Sequence, residues 1–78
     1  MISVKVGKEW LELLEKLASN KRMKLSEFIE RYVLKEDECL NIPYIEPSGY
    51  KKINLNIAGS EEQVENAIKF YLFCISPQ

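Results

Sequence analysis

Apolar residues open the chain on a period of two. Ile2, Val4 and Val6 alternate with Met1, Ser3 and Lys5, the pattern of a short strand with one buried face. Gly7 interrupts, and the period then changes. Trp10, Leu13, Leu14, Leu17 and Ala18 recur at i, i+3, i+4, i+7 and i+8, which predicts an amphipathic helix over 8–20. Glu12 and Lys16 sit on its opposite face in the favourable i, i+4 order. The polar run Asn20-Lys21-Arg22-Met23-Lys24 has no apolar period and reads as a turn, with Asn20 suited to a left-handed cap. Leu25, Phe28, Ile29, Tyr32 and Val33 then repeat the helical spacing, predicting a second helix over 24–36 with Glu27 and Arg31 paired outside.

The acidic stretch Lys35-Glu36-Asp37-Glu38 breaks the pattern. Leu40, Ile42 and Tyr44 alternate with Asn41 and Pro43, and the proline confines any strand here to an edge. Pro47-Ser48-Gly49 suits a tight turn. Beyond it Ile53, Leu55 and Ile57 alternate with Lys52, Asn54 and Asn56, the cleanest strand pattern in the chain. The two runs predict a hairpin of 40–45 with 51–58, which gives each strand a partner for its backbone groups. Ser60 and Gln63 form a capping box, and Glu61 and Glu62 suit the positive end of the helix that follows. Its stripe is Val64, Ala67, Ile68, Tyr71, Leu72 and Ile75, widened by Phe70, Phe73 and Cys74 until the last turns are apolar nearly all round. The predicted order is βααββα, an α+β chain.

At 78 residues there is room for one domain, and 46% hydrophobic with 29% charged content is that of a globular protein. A chain this short buries roughly 60% of its unfolded surface, so association is expected to supply stability. With no histidine and two cysteines, Cys39 and Cys74, the chain has no ordinary zinc, haem or Cys-His site, and neither metal nor cofactor is expected. No carboxylate pair stands at a spacing that suggests acid-base work, so no catalytic residue is assigned and an enzyme is not expected. The cysteines lie 35 positions apart without a secretory signal, which favours reduced, buried thiols and a cytoplasmic location. No run approaches the roughly 20 apolar residues of a membrane span, so a soluble protein is expected. Net charge is -1, but residues 1–24 carry +3 and residues 37–78 carry -3. A basic front is a pointer to a polyanion partner. Trp10, Phe28 and Tyr32 are core residues by preference, and Tyr44, Tyr50, Phe70, Tyr71 and Phe73 read as packing or subunit interface.

Three stretches taken in order, Ile2-Ser3-Val4-Lys5-Val6, Trp10 to Ala18, and Met23-Lys24-Leu25-Ser26-Glu27-Phe28-Ile29, carry a resemblance. Residues 1–36 resemble the ribbon-helix-helix family of prokaryotic DNA-binding proteins, the Arc/MetJ/CopG type. The resemblance implies a homodimer in which the N-terminal strands of two subunits pair antiparallel over four helices, leaving a polar ribbon to enter the major groove. It assigns base readout to Ser3, Lys5 and Met1, and phosphate contact to the start of the second helix, Lys24, Leu25 and Ser26, with Lys21 and Arg22 beside it. The turn glycine common in the family is absent, and Lys24 stands where a capping Ser or Thr is usual. On this basis residues 1–37 form the ribbon-helix-helix DNA-binding unit. Residues 38–78 form a hairpin-helix extension for packing or oligomerisation, the whole making one compact domain.

The expected function is that of a cytoplasmic homodimeric, sequence-specific transcriptional regulator, a repressor bound to double-stranded DNA, with higher oligomers through the extension. The alternatives are an antitoxin that uses residues 38–78 to bind a toxin partner, and a non-DNA protein-interaction dimer. A nickel-type regulator fails for want of histidine. A small-molecule effector between extension and core is left open, with no residue nominating one.

Overall fold

The computed structural model describes residues 1–35 and 38–74. Glu36, Asp37 and Ile75, placed above in a helix end, an acidic break and an apolar stripe, lie outside them. The elements are strand β1 (Ile2–Gly7), helix α1 (Lys8–Asn20), a second helix α2 (Leu25–Phe28) continuing as a π-helical turn (Ile29–Val33), strand β2 (Tyr50–Leu55) and helix α3 (Glu61–Phe73). The result is a small α+β fold.

The helices follow their sequence signals closely. α1 begins directly after Gly7 and buries Trp10, Leu14 and Ala18, with Leu11 added to the expected stripe. At its end Arg22, not Asn20, takes the left-handed conformation, with φ 57°. Arg22 closes the turn by donating its N–H to the Ser19 carbonyl, while Met23 N–H reaches back to Ala18. The second helix starts at Leu25 and loosens after one turn: Leu34 N–H bonds to Ile29, five residues back. That widening leaves Phe28, Ile29 and Val33 buried, and the Phe28 ring meets Tyr32 at 5.2 Å and Tyr71 at 5.8 Å. Ser60 caps α3 as expected, its Oγ accepting from Gln63 N–H at 3.1 Å. The reciprocal bond from the Gln63 side chain is not formed among the described residues.

The strands pair differently from the expectation. The hairpin of 40–45 with 51–58 is absent, and β2 instead pairs antiparallel with β1 of its own chain, Val4 opposite Ile53 and Lys5 opposite Lys52. The reason lies in where the backbone donors of 40–45 go. Leu40 N–H bonds to the Tyr71 carbonyl at 2.7 Å and Ile42 N–H to the Leu72 carbonyl at 3.2 Å. Those carbonyls belong to the last turn of α3 and have no partner inside the helix. The segment therefore caps a helix end, and β2 is free to accept the N-terminal strand. Cys39 and Cys74 close the same junction with a disulfide, their Cα atoms 5.6 Å apart, which corrects the expectation of free thiols. Cys74 takes the left-handed conformation that ends α3, and so turns toward the 39–42 segment.

One cluster of buried side chains joins all elements. Val4 and Val6 from β1, Leu55 from β2, Trp10 and Leu14 from α1, Phe28 and Ile29 from the second helix, and Ile68 and Leu72 from α3 form its centre. The expectation that the N-terminal strand lacks a partner in its own subunit is thereby overturned: β2 supplies its hydrogen bonds and α3 helps cover its apolar face.

Gly7 marks the tightest approach. A Cβ there would lie 2.7 Å from Pro47 Cβ and 3.1 Å from the Trp10 ring. Trp10 is itself held, its Nε1–H donating to the Ile45 carbonyl at 2.7 Å. Gly7→Ala should therefore destabilise the protein by about 1–3 kcal/mol, the usual cost of overpacking. Urea unfolding of both proteins measures this, and equal midpoints would contradict the packing described.

Candidate nucleic-acid interface

A strand sends alternate side chains to opposite faces, so the register decides which residues stand together. The inward set is Ile2, Val4 and Val6 with Ile53 and Leu55. The outward set pairs Ser3 with Asn54, Lys5 with Lys52, and Gly7 with Tyr50. Of the expected readout residues, Ser3 and Lys5 thus lie on one polar ribbon face, and Met1 is 85% exposed at the chain start. The ribbon is two-stranded as expected, but its second strand comes from the same chain.

The face is held in place from both sides. Ser3 Oγ donates to Asn54 Oδ1 at 2.5 Å, linking the strands through their side chains. Lys5 N–H points away from β2 and donates to Glu65 Oε2 of α3 at 2.9 Å, which covers part of the otherwise open edge of β1. Lys5 and Lys52 are directly opposite, both exposed. Like charges in that position oppose the pairing unless an anion lies over them. Tyr50 is 57% exposed, lies opposite the side-chain-free Gly7, and meets Trp10 edge-on at 6.2 Å. The expectation of Tyr50 and Tyr44 as packing residues holds in part: Tyr44 meets Trp10 at 6.1 Å and Phe73 at 5.0 Å, yet it is 58% exposed.

The expected phosphate residues fall into two groups. Ser26 Oγ accepts the N–H of Asn56 at 3.2 Å, so the start of the second helix adjoins the end of β2 and, through the register, the Ser3 end of the ribbon. Among the described residues the Ser26 hydroxyl donates to no partner, which leaves its proton to a further acceptor. Lys24 precedes the helix in an extended conformation with no side-chain cap, and Leu25 is half-buried. Lys21 and Arg22 are exposed in the turn, and the Lys21 ammonium lies 4.5 Å from the centre of the Tyr32 ring. Among the described residues no hydrogen bond or ion pair joins Lys21 or Arg22 to the ribbon.

Sequence reasoning missed Lys52, Asn54 and Tyr50 as site residues. Their signal was the polar phase of the Lys52, Asn54, Asn56 alternation, which acquires meaning only once β2 is known to lie beside β1. Among the described residues no helix is long and apolar enough to cross a membrane, and no group of three potential metal ligands occurs. No family model, curated protein or solved structure matches the chain.

The turn that launches β2 depends on Glu9. Its carboxylate accepts from Ser48 N–H at 3.1 Å and from Ser48 Oγ at 2.8 Å, and Gly49 accepts the N–H of Lys8 at 3.0 Å. The Ser48 hydroxyl bond, followed by backbone bonds, holds the Glu9 carboxyl below its ordinary value. A lowered carboxylate contributes stability that is complete above the unfolded value and fades as pH falls through the folded one. Glu9→Gln should therefore be less stable than the parent near neutrality, and the difference should shrink as pH falls below the ordinary carboxylate range and the lowered Glu9 carboxylate takes up its proton. Thermal unfolding across pH measures it; a difference independent of pH would contradict the assigned role.

Proposed function

We propose that this protein is a sequence-specific double-stranded DNA-binding regulator, a repressor, that places the outer face of its β1–β2 ribbon in the major groove. The observation that carries the reading is the cross-strand pair Lys5–Lys52 beside Ser3–Asn54. A two-stranded ribbon fits the major groove of B-form DNA. Lysine donates to guanine O6 and N7, and with the Ser3 hydroxyl bonded to Asn54 Oδ1 the pair offers base edges the Asn54 amide N–H groups as donors and the Ser3 oxygen as an acceptor. Phosphate oxygens would neutralise the opposed ammonium groups, and the Ser26 hydroxyl with Lys24, Lys21 and Arg22 supplies the flanking backbone contacts.

The ribbon-helix-helix resemblance enters this reading in altered form. The family builds its ribbon across a dimer, whereas here the chain supplies both threads, so the resemblance is confined to the order of the first three elements. A homodimer in this reading places two complete ribbons on successive half-sites of an operator. Residues 38–74 contribute Leu55, Ile57 and Leu72 to the core, which favours the DNA reading over the antitoxin one.

A second reading is favoured by one observation, the Cys39–Cys74 disulfide. Disulfides persist mainly outside the reducing cytosol, with intracellular proteins of hyperthermophiles as an exception. A protein-interaction module in an oxidising compartment would account for the bond without DNA. The DNA reading requires a cytoplasmic protein that keeps it.

Selection from a random duplex pool followed by titration at several salt concentrations separates the two. The DNA reading predicts an enriched site and affinity that falls steeply with salt. Lys5→Ala and Lys52→Ala should each lose about 1–3 kcal/mol at the selected site if each contacts a base. Absence of an enriched site, or affinity indifferent to salt, would leave the protein-interaction reading.

A further inference from the structure

Between β1 and α3 the surface opens into a cleft of ≈ 300 Å³ beside the ribbon. Its floor is apolar: Val6, Trp10 and Ile68 line it, each at most 2% exposed. Its rim carries Lys5, Lys69 and Tyr50. Glu65 also lines it, yet its carboxylate is turned to accept the Lys5 backbone N–H rather than to neutralise an ammonium group. Among the described residues the one ion pair within bonding reach is Glu27–Arg31, so the Lys5 and Lys69 ammoniums stand unpaired at the mouth. Lys69 Nζ lies 5.9 Å from the centre of the Trp10 ring, which keeps that charge over the cleft floor.

An apolar floor that includes the Trp10 ring, with Tyr50 at the rim, accepts a flat hydrocarbon body, and two ammonium groups above it accept a carboxylate. The volume, at the lower end of the roughly 300–1,000 Å³ typical of small-molecule sites, suits a single ring. We propose that the cleft binds a small monocarboxylate bearing one aromatic ring. Because Lys5 belongs both to the rim of the cleft and to the centre of the ribbon face, an occupied cleft draws its ammonium away from DNA and weakens DNA binding. This regulatory half rests on the DNA-binding reading. Occupancy of the cleft does not.

The chain has a single tryptophan, Trp10, so its fluorescence reports the cleft directly. Phenylacetate added to the full-length protein should shift Trp10 emission saturably. Phenylacetamide, which keeps the ring but not the charge, and acetate, which keeps the charge but not the ring, should each bind at least roughly tenfold more weakly. Lys69→Ala should lose a similar factor for phenylacetate while retaining its affinity for the selected duplex. A response that does not saturate, or that is the same for all three compounds, overturns the proposal. Phenylacetate should also raise the apparent Kd for the selected duplex. If the duplex is bound and a saturated cleft leaves its affinity unchanged, the regulatory half is overturned. If no duplex is bound at all, the DNA reading fails and the Trp10 titration alone decides the cleft.

Discussion

The antiparallel pairing of Ile2–Gly7 with Tyr50–Leu55 is the constraint on which the other features depend. Those two segments are separated by two helices and a long connection, so forming the pair closes most of the chain into one loop. Closure is favourable because Val4, Val6 and Leu55 then bury their side chains in the same cluster as Trp10, Phe28 and Leu72. Two further attachments hold the closure at its ends. Glu9 fastens Ser48 just before β2 begins, and Ser26 fastens Asn56 just after it ends. The connection itself is secured by the Cys39–Cys74 bond and by the α3 carbonyls that accept from Leu40 and Ile42.

The same pairing creates the polar face. With the apolar positions turned inward, alternation leaves Ser3, Lys5, Lys52, Asn54 and Tyr50 no direction but outward. Two lysines opposite one another weaken a two-stranded pair that has few bonds to spare. Such an arrangement is most economical where an anionic partner compensates it. The Glu65 carboxylate accepts the Lys5 backbone N–H and so holds α3 against the open edge of β1 while leaving the Lys5 ammonium unpaired. α3 therefore both completes the core and braces the ribbon.

Local signals in the sequence were dependable where one element decides its own form. Trp10, Leu14 and Ala18 on a helical period gave α1 its observed bounds, and Ser60 three residues before Gln63 marked the start of α3. The alternation of Ile53 and Leu55 identified β2. What alternation does not encode is the partner. Leu40, Ile42 and Tyr44 also alternate, and they lie nearer in sequence, yet the N–H groups of Leu40 and Ile42 are taken by carbonyls at the end of α3 that no periodicity reveals. The disulfide was hidden for the same reason: Cys39 and Cys74 are adjacent only because that capping brings them together. Half of the candidate face, Ser3 and Lys5, was legible from β1 alone. The other half waited on the choice of strand partner.

Whether each chain closes its own ribbon can be measured directly with a mixed sample of isotope-labelled and unlabelled protein. The account predicts that nuclear Overhauser contacts between the Val4 and Ile53 backbones arise only within single chains, and persist on dilution. Contacts between Val4 of one chain and the N-terminal strand of another, in place of the Val4–Ile53 contacts, would contradict it.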